Sequence, residues 1–540
     1  MALDSNELKS NTPSNGFKFG GSELNQKTVL GHPAGLFVLF FTEMWERFSY
    51  YGMRALLVLF LVSSLVDEGW GWERADALML YAWYTGLVYV TPIFGGIIAD
   101  KLLGYRKAVV IGALLMTMGH ASMALEIFAS PFFFIGLALL ILGNGLFKPN
   151  ISSMVGQLYK NQGKEKDAGY TIFYMGINAG AFLGILLCGY IGEKVGWSYG
   201  FGLAGVFMLI GMLQFYFAQK IFGKIGLLAD KDGNFLDSTA LEGEVEKEEV
   251  TDEVVEPHVK RDRLIVIGVL SFFTIFFWWA FEQAGGSMTI FANDYTDRVL
   301  EGDGAMIFKV FNTILTVVPM LIISWVLVLL FKQTFSKLSL SNIFLGSSFV
   351  IIWGIVIWMI KREFNAETAE VPASWFGILN SFFIIAFAPL FSKIWESKLN
   401  PSGPVKFAIG LVLLGLGFGI LAYGSLGIPQ GAKVASVSMI FLILAYLFHT
   451  LGELCVSPVG LSYVSKLSPA NLVGFMFGIW FLATFFANFL AGFTGSFIDK
   501  IVESYSMATF FLIFTLIPIG AGVVMLLLNP LLKKKMHGIK

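Results

Sequence analysis

The sequence predicts an all-α integral membrane protein with fourteen transmembrane helices in two groups, and three observations carry that prediction. Of the 540 residues, 56% are hydrophobic and only 14% are charged, whereas a soluble globular domain carries about 25% charged residues. Apolar stretches of about 20 residues, the length that crosses a bilayer as a helix, recur through the chain. The two-residue alternation of an outer-membrane barrel strand is missing, and the apolar runs far exceed the roughly ten residues such a strand needs.

Residues 1–33 form a polar tail without the basic start, short apolar core and small-residue cleavage site of a secretory signal. Helices are then expected near 34–64, 77–100, 106–128, 131–156, 168–192 and 199–222, which make a first bundle over 34–222. A linker over 223–262 follows. Its stretch from Asp230 to Glu256 holds eleven acids against only Lys231 and Lys247, so it stays solvated and is read as a connector. The second bundle, 263–532, has helices near 263–291, 306–331, 342–361, 373–395, 405–426, 436–464, 472–499 and 507–531. The pair within 306–361 is an added hairpin, and 533–540 is a basic tail. Two helical bundles joined by a polar linker are the layout of transporters that hold their substrate near the midplane.

Lysine and arginine in short loops set the orientation. Lys101, Arg106 and Lys107 follow the second helix, and Lys160, Lys164 and Lys166 follow the fourth. Lys332, Lys337, Lys393, Lys398, Lys406 and the Lys533-Lys534-Lys535 tail fall on the same side. Loops on the other side are acidic, with Asp67, Glu68, Asp294, Asp297, Glu301 and Asp303. Both termini are therefore expected in the cytoplasm.

The net charge of −1 points to no nucleic-acid partner, because the basic residues sit in short loops between apolar runs and form no stripe or tract. Two cysteines, Cys188 and Cys455, both in apolar stretches, give no material for a disulfide framework or a metal cluster. An enzyme is disfavoured: the chain has no His-Glu-x-x-His, no Gly-x-Ser-x-Gly and no Gly-rich loop leading into Lys-Ser or Lys-Thr.

The first helix carries Glu43, Glu46, Arg47 and Arg54 at membrane depth. An arginine or aspartate there costs about 2.5–3.5 kcal/mol on insertion scales, so such charges stand where they pair or line a watery path. Glu43 and Arg47 are spaced i and i+4, and Arg47, Tyr50/Tyr51 and Arg54 continue in three- and four-residue steps. One face of this helix is expected to look into a cavity.

The loop Gly95-Gly96-Ile97-Ile98-Ala99-Asp100-Lys101-Leu102-Leu103-Gly104-Tyr105-Arg106-Lys107 resembles the helix 2–3 signature of the major facilitator superfamily, in which Asp100 and Arg106 would brace cytoplasmic helix ends. Glu43-x-x-Glu46-Arg47-Phe48-x-Tyr50-Tyr51-Gly52 is similar to the helix 1 motif of proton-dependent oligopeptide transporters. Gly143-Asn144-Gly145-Leu146-Phe147-Lys148-Pro149-Asn150 resembles that family's helix 4 segment, and Phe173-Tyr174-Met175-Gly176-Ile177-Asn178-Ala179-Gly180 its helix 5 signature. Gly452-Glu453-Leu454-Cys455-Val456-Ser457-Pro458 resembles its helix 10 segment.

The resemblance, which runs from about residue 34 to the end of the chain, implies the superfamily fold of two six-helix bundles, here with the extra hairpin. It further implies a symporter that imports di- and tripeptides with protons by alternating access, without a cofactor other than the coupling ion. Arg54 and Lys148 would take the peptide carboxylate and Glu453 the amino terminus. Asn178 and Asn380 would bond the peptide backbone, and Tyr50, Tyr51, Tyr89, Trp279 and Trp480 would line the pocket. Glu43, Glu46, Arg47 and Glu282 would couple the proton, with Glu282 pairing Arg54 across the outer gate.

Two features depart from the family's pattern: the added helix pair near 306–331 and 342–361, and Leu80-Tyr81-Ala82-Trp83-Tyr84, which lacks the helix 2 histidine of mammalian members. Many relatives also show a second acid after the Glu282 position, where this chain has Gln283. A drug exporter or an anion carrier on the same fold is the alternative. The expected setting is a bacterial inner membrane, with lipid, peptide and protons as partners, no metal and no nucleic acid, and the chain a monomer or in a loose oligomer.

Overall fold

The computed structural model describes residues 17–159, 163–228, 256–397, 400–469 and 472–539. Lys160, Lys398 and the acidic stretch of the linker up to residue 255 lie outside the described residues. In the first half the long helices are α1 (Ala34–Val62), α2 (Arg74–Ile98), α3 (Tyr105–Ala124), α4 (Pro131–Gln157), α5 (Lys164–Lys194) and α6 (Trp197–Ala218). In the second they are α7 (Pro257–Phe281), α8 (Gly302–Thr334), α9 (Ser339–Asn365), α10 (Ile378–Glu396), α11 (Gly403–Gly424), α12 (Ile440–Leu467), α13 (Val473–Gly495) and α14 (Met507–Lys535). Thirteen helices among the described residues are long and apolar enough to cross a membrane. The fourteenth is α1, 29 residues long and lowered in hydropathy by its own charged residues.

Helix ends follow local chemistry. After α2 a π turn, Ala99–Leu103, stops at Gly104, whose φ of +75° suits a residue without a side chain. A β-carbon there would also press on the backbone nitrogen of Leu228, 2.6 Å away. Arg106 then donates from Nε to the Ile225 carbonyl at 2.5 Å and from Nη2 to the Gly223 carbonyl. Residues 223–228 are thus pinned under the first bundle, and α7 already begins at Pro257, so the chain is folded at both edges of the expected 223–262 linker.

In the first bundle α1 packs along α5 and α6, α3 along α4 and α6, and α2 along α4. In the second, α11 packs along α12 and α14, α7 along α13 and α14, and α10 along α12. The bundles meet through α2 with α13 and α5 with α10. Small residues set the closest approaches, as they do where no water drives helices together. A β-carbon on Gly95 would fall on the carbonyl of Gly145, and one on Gly180 on the carbonyl of Met44, whereas at Gly96 it would meet open space.

The hairpin α8–α9 sits between α7 and α10 in sequence, as expected, but it docks on the first bundle. Phe349 of α9 packs edge-on to Phe41 at 5.7 Å and Trp45 at 5.8 Å, and Phe344 stacks on Phe217 at 5.6 Å. Ser341 Oγ donates to the Gln214 carbonyl at 2.8 Å. Its foot is tied by a short antiparallel ladder, Val299–Leu300 against Ala369–Glu370.

The polar tail also folds further than its composition suggests. Asn25 is fully buried and accepts from the Gly35 N–H at 2.7 Å, at the start of α1. Burial lowers the His32 imidazole below its ordinary range, so the neutral ring can accept the Tyr159 hydroxyl, 2.8 Å away.

Candidate functional site

The charged residues of α1 divide into two groups along the helix. In the first, Arg47 Nε donates to Glu43 Oε1 at 2.7 Å and stands 2.9 Å from Glu46 Oε2. All three are buried. The Nε hydrogen points to Glu43, which leaves Glu46 Oε2 without a directed hydrogen bond. Glu46 Oε1 instead accepts from Asn144 Nδ2 of α4 at 3.0 Å. One turn further along α4, the Lys148 ammonium lies over the Tyr89 ring, 4.4 Å from its centre, and within coulombic range of Arg47, Glu46, Glu43 and Glu282.

The second group lies two turns onward. Arg54 pairs through Nη2 with Glu282 and donates from Nε and Nη2 to the Tyr81 hydroxyl at 3.0 and 2.5 Å. Glu282 is the first residue of a 3-10 turn, Glu282–Gly285, that breaks the helix after α7. Gly285 makes room for this meeting, because a β-carbon there would strike the Tyr81 hydroxyl. Arg54 and Tyr81 belong to the first bundle and Glu282 to the second, so the trio clamps the bundles together.

Across from these groups, Glu453 of α12 accepts from Asn380 Nδ2 of α10 at 2.8 Å, and that nitrogen also lies 3.2 Å from Thr450 Oγ1. Tyr51 is half-buried on α1, between Arg47 and Arg54 in sequence. Tyr50 packs edge-on to Tyr51 at 5.1 Å and lies 6.0 Å from the Arg47 guanidinium.

The remaining expected residues are placed less centrally. Asn178 donates to the Tyr174 carbonyl of its own helix at 3.1 Å. Trp279 donates to Thr494 at 2.9 Å and packs on Phe514, inside the second bundle. Trp480 lies against Gly460 of α12. Gln283 bonds the Ala491 carbonyl and Ser287 and is buried, so it ties α13 to the turn after α7 instead of doubling Glu282. His449 packs on Phe418 at 4.4 Å, on the α11 side. Arg106 braces carbonyls below α6, and Asp100 is exposed next to it in the loop.

Sequence reasoning gave no role to Asn144, Tyr81 and Arg74. Arg74, at the start of α2, reaches Asp294 at 2.6 Å, Asp499 at 2.8 Å, Tyr295 Oη at 3.1 Å and the Lys433 carbonyl at 3.0 Å. At the same end Glu193 of α5 accepts from the backbone N–H groups of Ala373 and Ser374 at 2.8 and 2.9 Å. Both contacts cross between the halves at the end remote from the chain termini. An isolated loop arginine gives no signal of such convergence, since its partners come from three distant segments.

Comparison with known proteins places the chain among membrane transporters. A sequence profile of the POT family matches residues 106–239 and 345–513. An uncharacterized transporter of Bacillus subtilis, YclF, is 33% identical over 530 residues, covering 95% of this chain and 97% of that one. A di-/tripeptide transporter of Lactococcus lactis subsp. cremoris is 32% identical, covering 94% and 97%. Among solved structures, a peptide transporter POT in complex with sulfate superposes with a TM-score of 0.71 at 29% identity, covering 95% and 97%. A POT family transporter in complex with 5-aminolevulinic acid superposes with a TM-score of 0.72 at 26% identity, covering 94% and 98%.

Proposed function

This chain belongs to the POT family of membrane transporters, and from that premise we propose that it imports di- and tripeptides in symport with protons. The observation that supports the substrate most is the separation of charge across the two bundles. Arg54 and Lys148 offer cations from α1 and α4, while Glu453 offers a carboxylate from α12. A peptide zwitterion carries its constant charges at its two ends. A site that grips those ends and leaves tyrosines between them accepts many side chains, and an amide such as Asn380 can meet the backbone as donor or acceptor.

The proton enters through competition for Arg54. In the structure Glu282 holds that guanidinium and the bundles are clamped. Protonation of Glu282 would remove its charge and release Arg54 to the peptide carboxylate, and the bundles would rock about the bound substrate. Glu43, Glu46 and Arg47 form a second proton-sensitive cluster, because neutralising either acid loosens the arginine. With the basic loops in the cytoplasm, both termini lie there, and the end closed by Arg74 and Glu193 faces outward. The bacterial relatives support a location in the cell membrane.

Binding of peptide to the purified protein tests the substrate assignment. Dialanine and trialanine should raise the thermal unfolding midpoint, free alanine and nitrate should not, and Arg54→Ala should abolish the rise. Stabilisation by alanine or nitrate equal to that by dialanine would contradict it.

A further inference from the structure

We propose that Asn144 is a positioning residue for the proton on Glu46, able to hold that side chain in both its charged and its neutral form. This rests on the proton-coupled reading given above.

Asn144 is 1% exposed, and its Nδ2 is the one directed hydrogen-bond donor that reaches the Glu46 carboxylate among the described residues. Arg47 lies close enough for charge attraction, yet its Nε hydrogen is used by Glu43. Meanwhile Asn144 Oδ1 is buried without a partner. A buried acceptor left unpaired is costly, about 1–3 kcal/mol. Such a group has a use if it is needed in another state.

The chemistry of the two states supplies that use. An ionised carboxylate only accepts, so it takes the N–H face of the amide. When Glu46 gains a proton it loses one negative charge and acquires an O–H that needs an acceptor. Half a turn of the amide about its last side-chain bond presents Oδ1 to that hydrogen, and Arg47 remains paired with Glu43. A lysine here could serve only the charged form, and an aliphatic residue neither.

The charged groups facing Glu46 are Glu43 and Arg47 from α1 and Lys148 from α4, and the Tyr84 hydroxyl of α2 is also near and unpartnered. Lys148 follows Asn144 by one helical turn, so α4 presents to the same site an amide that tracks the proton and an ammonium that faces the substrate.

Asn144→Thr and Asn144→Val test this, because their side chains match in shape and differ in a hydroxyl that can both donate and accept. In proteoliposomes of the full chain, the Thr variant should keep gradient-driven dialanine uptake within about threefold of wild type. The Val variant should lose tenfold or more, the equivalent of about 1.4 kcal/mol, while its gradient-free counterflow of dialanine stays within about twofold. On a Glu46→Gln background the Thr and Val substitutions should give the same counterflow rate. Thr and Val variants that coincide in driven uptake overturn the proposal, as does a Val variant whose counterflow falls as far as its driven uptake. If the wild type itself ignores the gradient, the proton-coupled reading falls first and takes this inference with it.

Discussion

Replacing Arg54 by lysine keeps the charge and changes only the geometry of its donors, which isolates what the guanidinium fork contributes. Arg54 directs Nε and Nη2 to the Tyr81 hydroxyl and uses Nη2 for Glu282 as well, with its side chain 12% exposed. A lysine ammonium cannot reproduce this planar set and gives up at least one charge-assisted hydrogen bond, worth about 1.5–3 kcal/mol. The same donors would later take the peptide carboxylate, so the loss should appear in the apparent second-order rate constant for transport. At about 1.4 kcal/mol per factor of ten, dialanine uptake by Arg54→Lys should fall about 10- to 150-fold. Initial rates across a range of dialanine concentrations measure it. A double-mutant cycle sharpens the result, since in a Tyr81→Phe background part of the fork's purpose is already gone and the penalty should shrink. Arg54→Lys within twofold of wild type would refute the argument that the guanidinium fork takes the peptide carboxylate.

Three further outcomes are expected. Glu46→Gln and Glu282→Gln should each abolish accumulation of peptide against its gradient while counterflow exchange continues, as measured by labelled dialanine in proteoliposomes. Arg74→Gln removes two partly exposed ion pairs, together about 0.4–2 kcal/mol, and should lower the thermal unfolding midpoint of the purified protein. Gly95→Ala should lower the thermal unfolding midpoint through an overpacking penalty of about 1–3 kcal/mol, because its methyl would fall on the Gly145 carbonyl, whereas Gly96→Ala, with open space beside it, should leave the midpoint unchanged.

The sequence made the helices legible because membrane spans announce themselves through length and hydropathy, and even α1 was readable because its charges interrupt an otherwise apolar helix. The same logic singled out Arg54, since an ion at membrane depth demands a partner, and the family resemblance supplied Glu282 as that partner. It could not find Asn144 or Tyr81, because amides and tyrosines at depth carry no comparable energetic alarm and their partners are 98 and 27 residues away. Trp279 illustrates the converse. Its position in a helix facing the site gives no guide to its rotamer, and the indole turns to Thr494 and Phe514. The insertion point of the α8–α9 hairpin followed from counting apolar runs, but its docking on α6 and α1 depends on surface shape, which residues such as Phe344 and Phe349 reveal only once neighbours are in place. Residues 17–33 escaped notice because they are held by side-chain and backbone hydrogen bonds, with Asn25 at the centre, and show no apolar period.

Uptake of labelled dialanine into proteoliposomes under an imposed proton gradient, inside alkaline, tests the central claim most directly. Proton-coupled peptide import predicts accumulation above the external concentration, collapse when a protonophore is added, and competition by trialanine but not by alanine or nitrate. Uptake indifferent to the gradient, or competition by nitrate in place of the tripeptide, would contradict it.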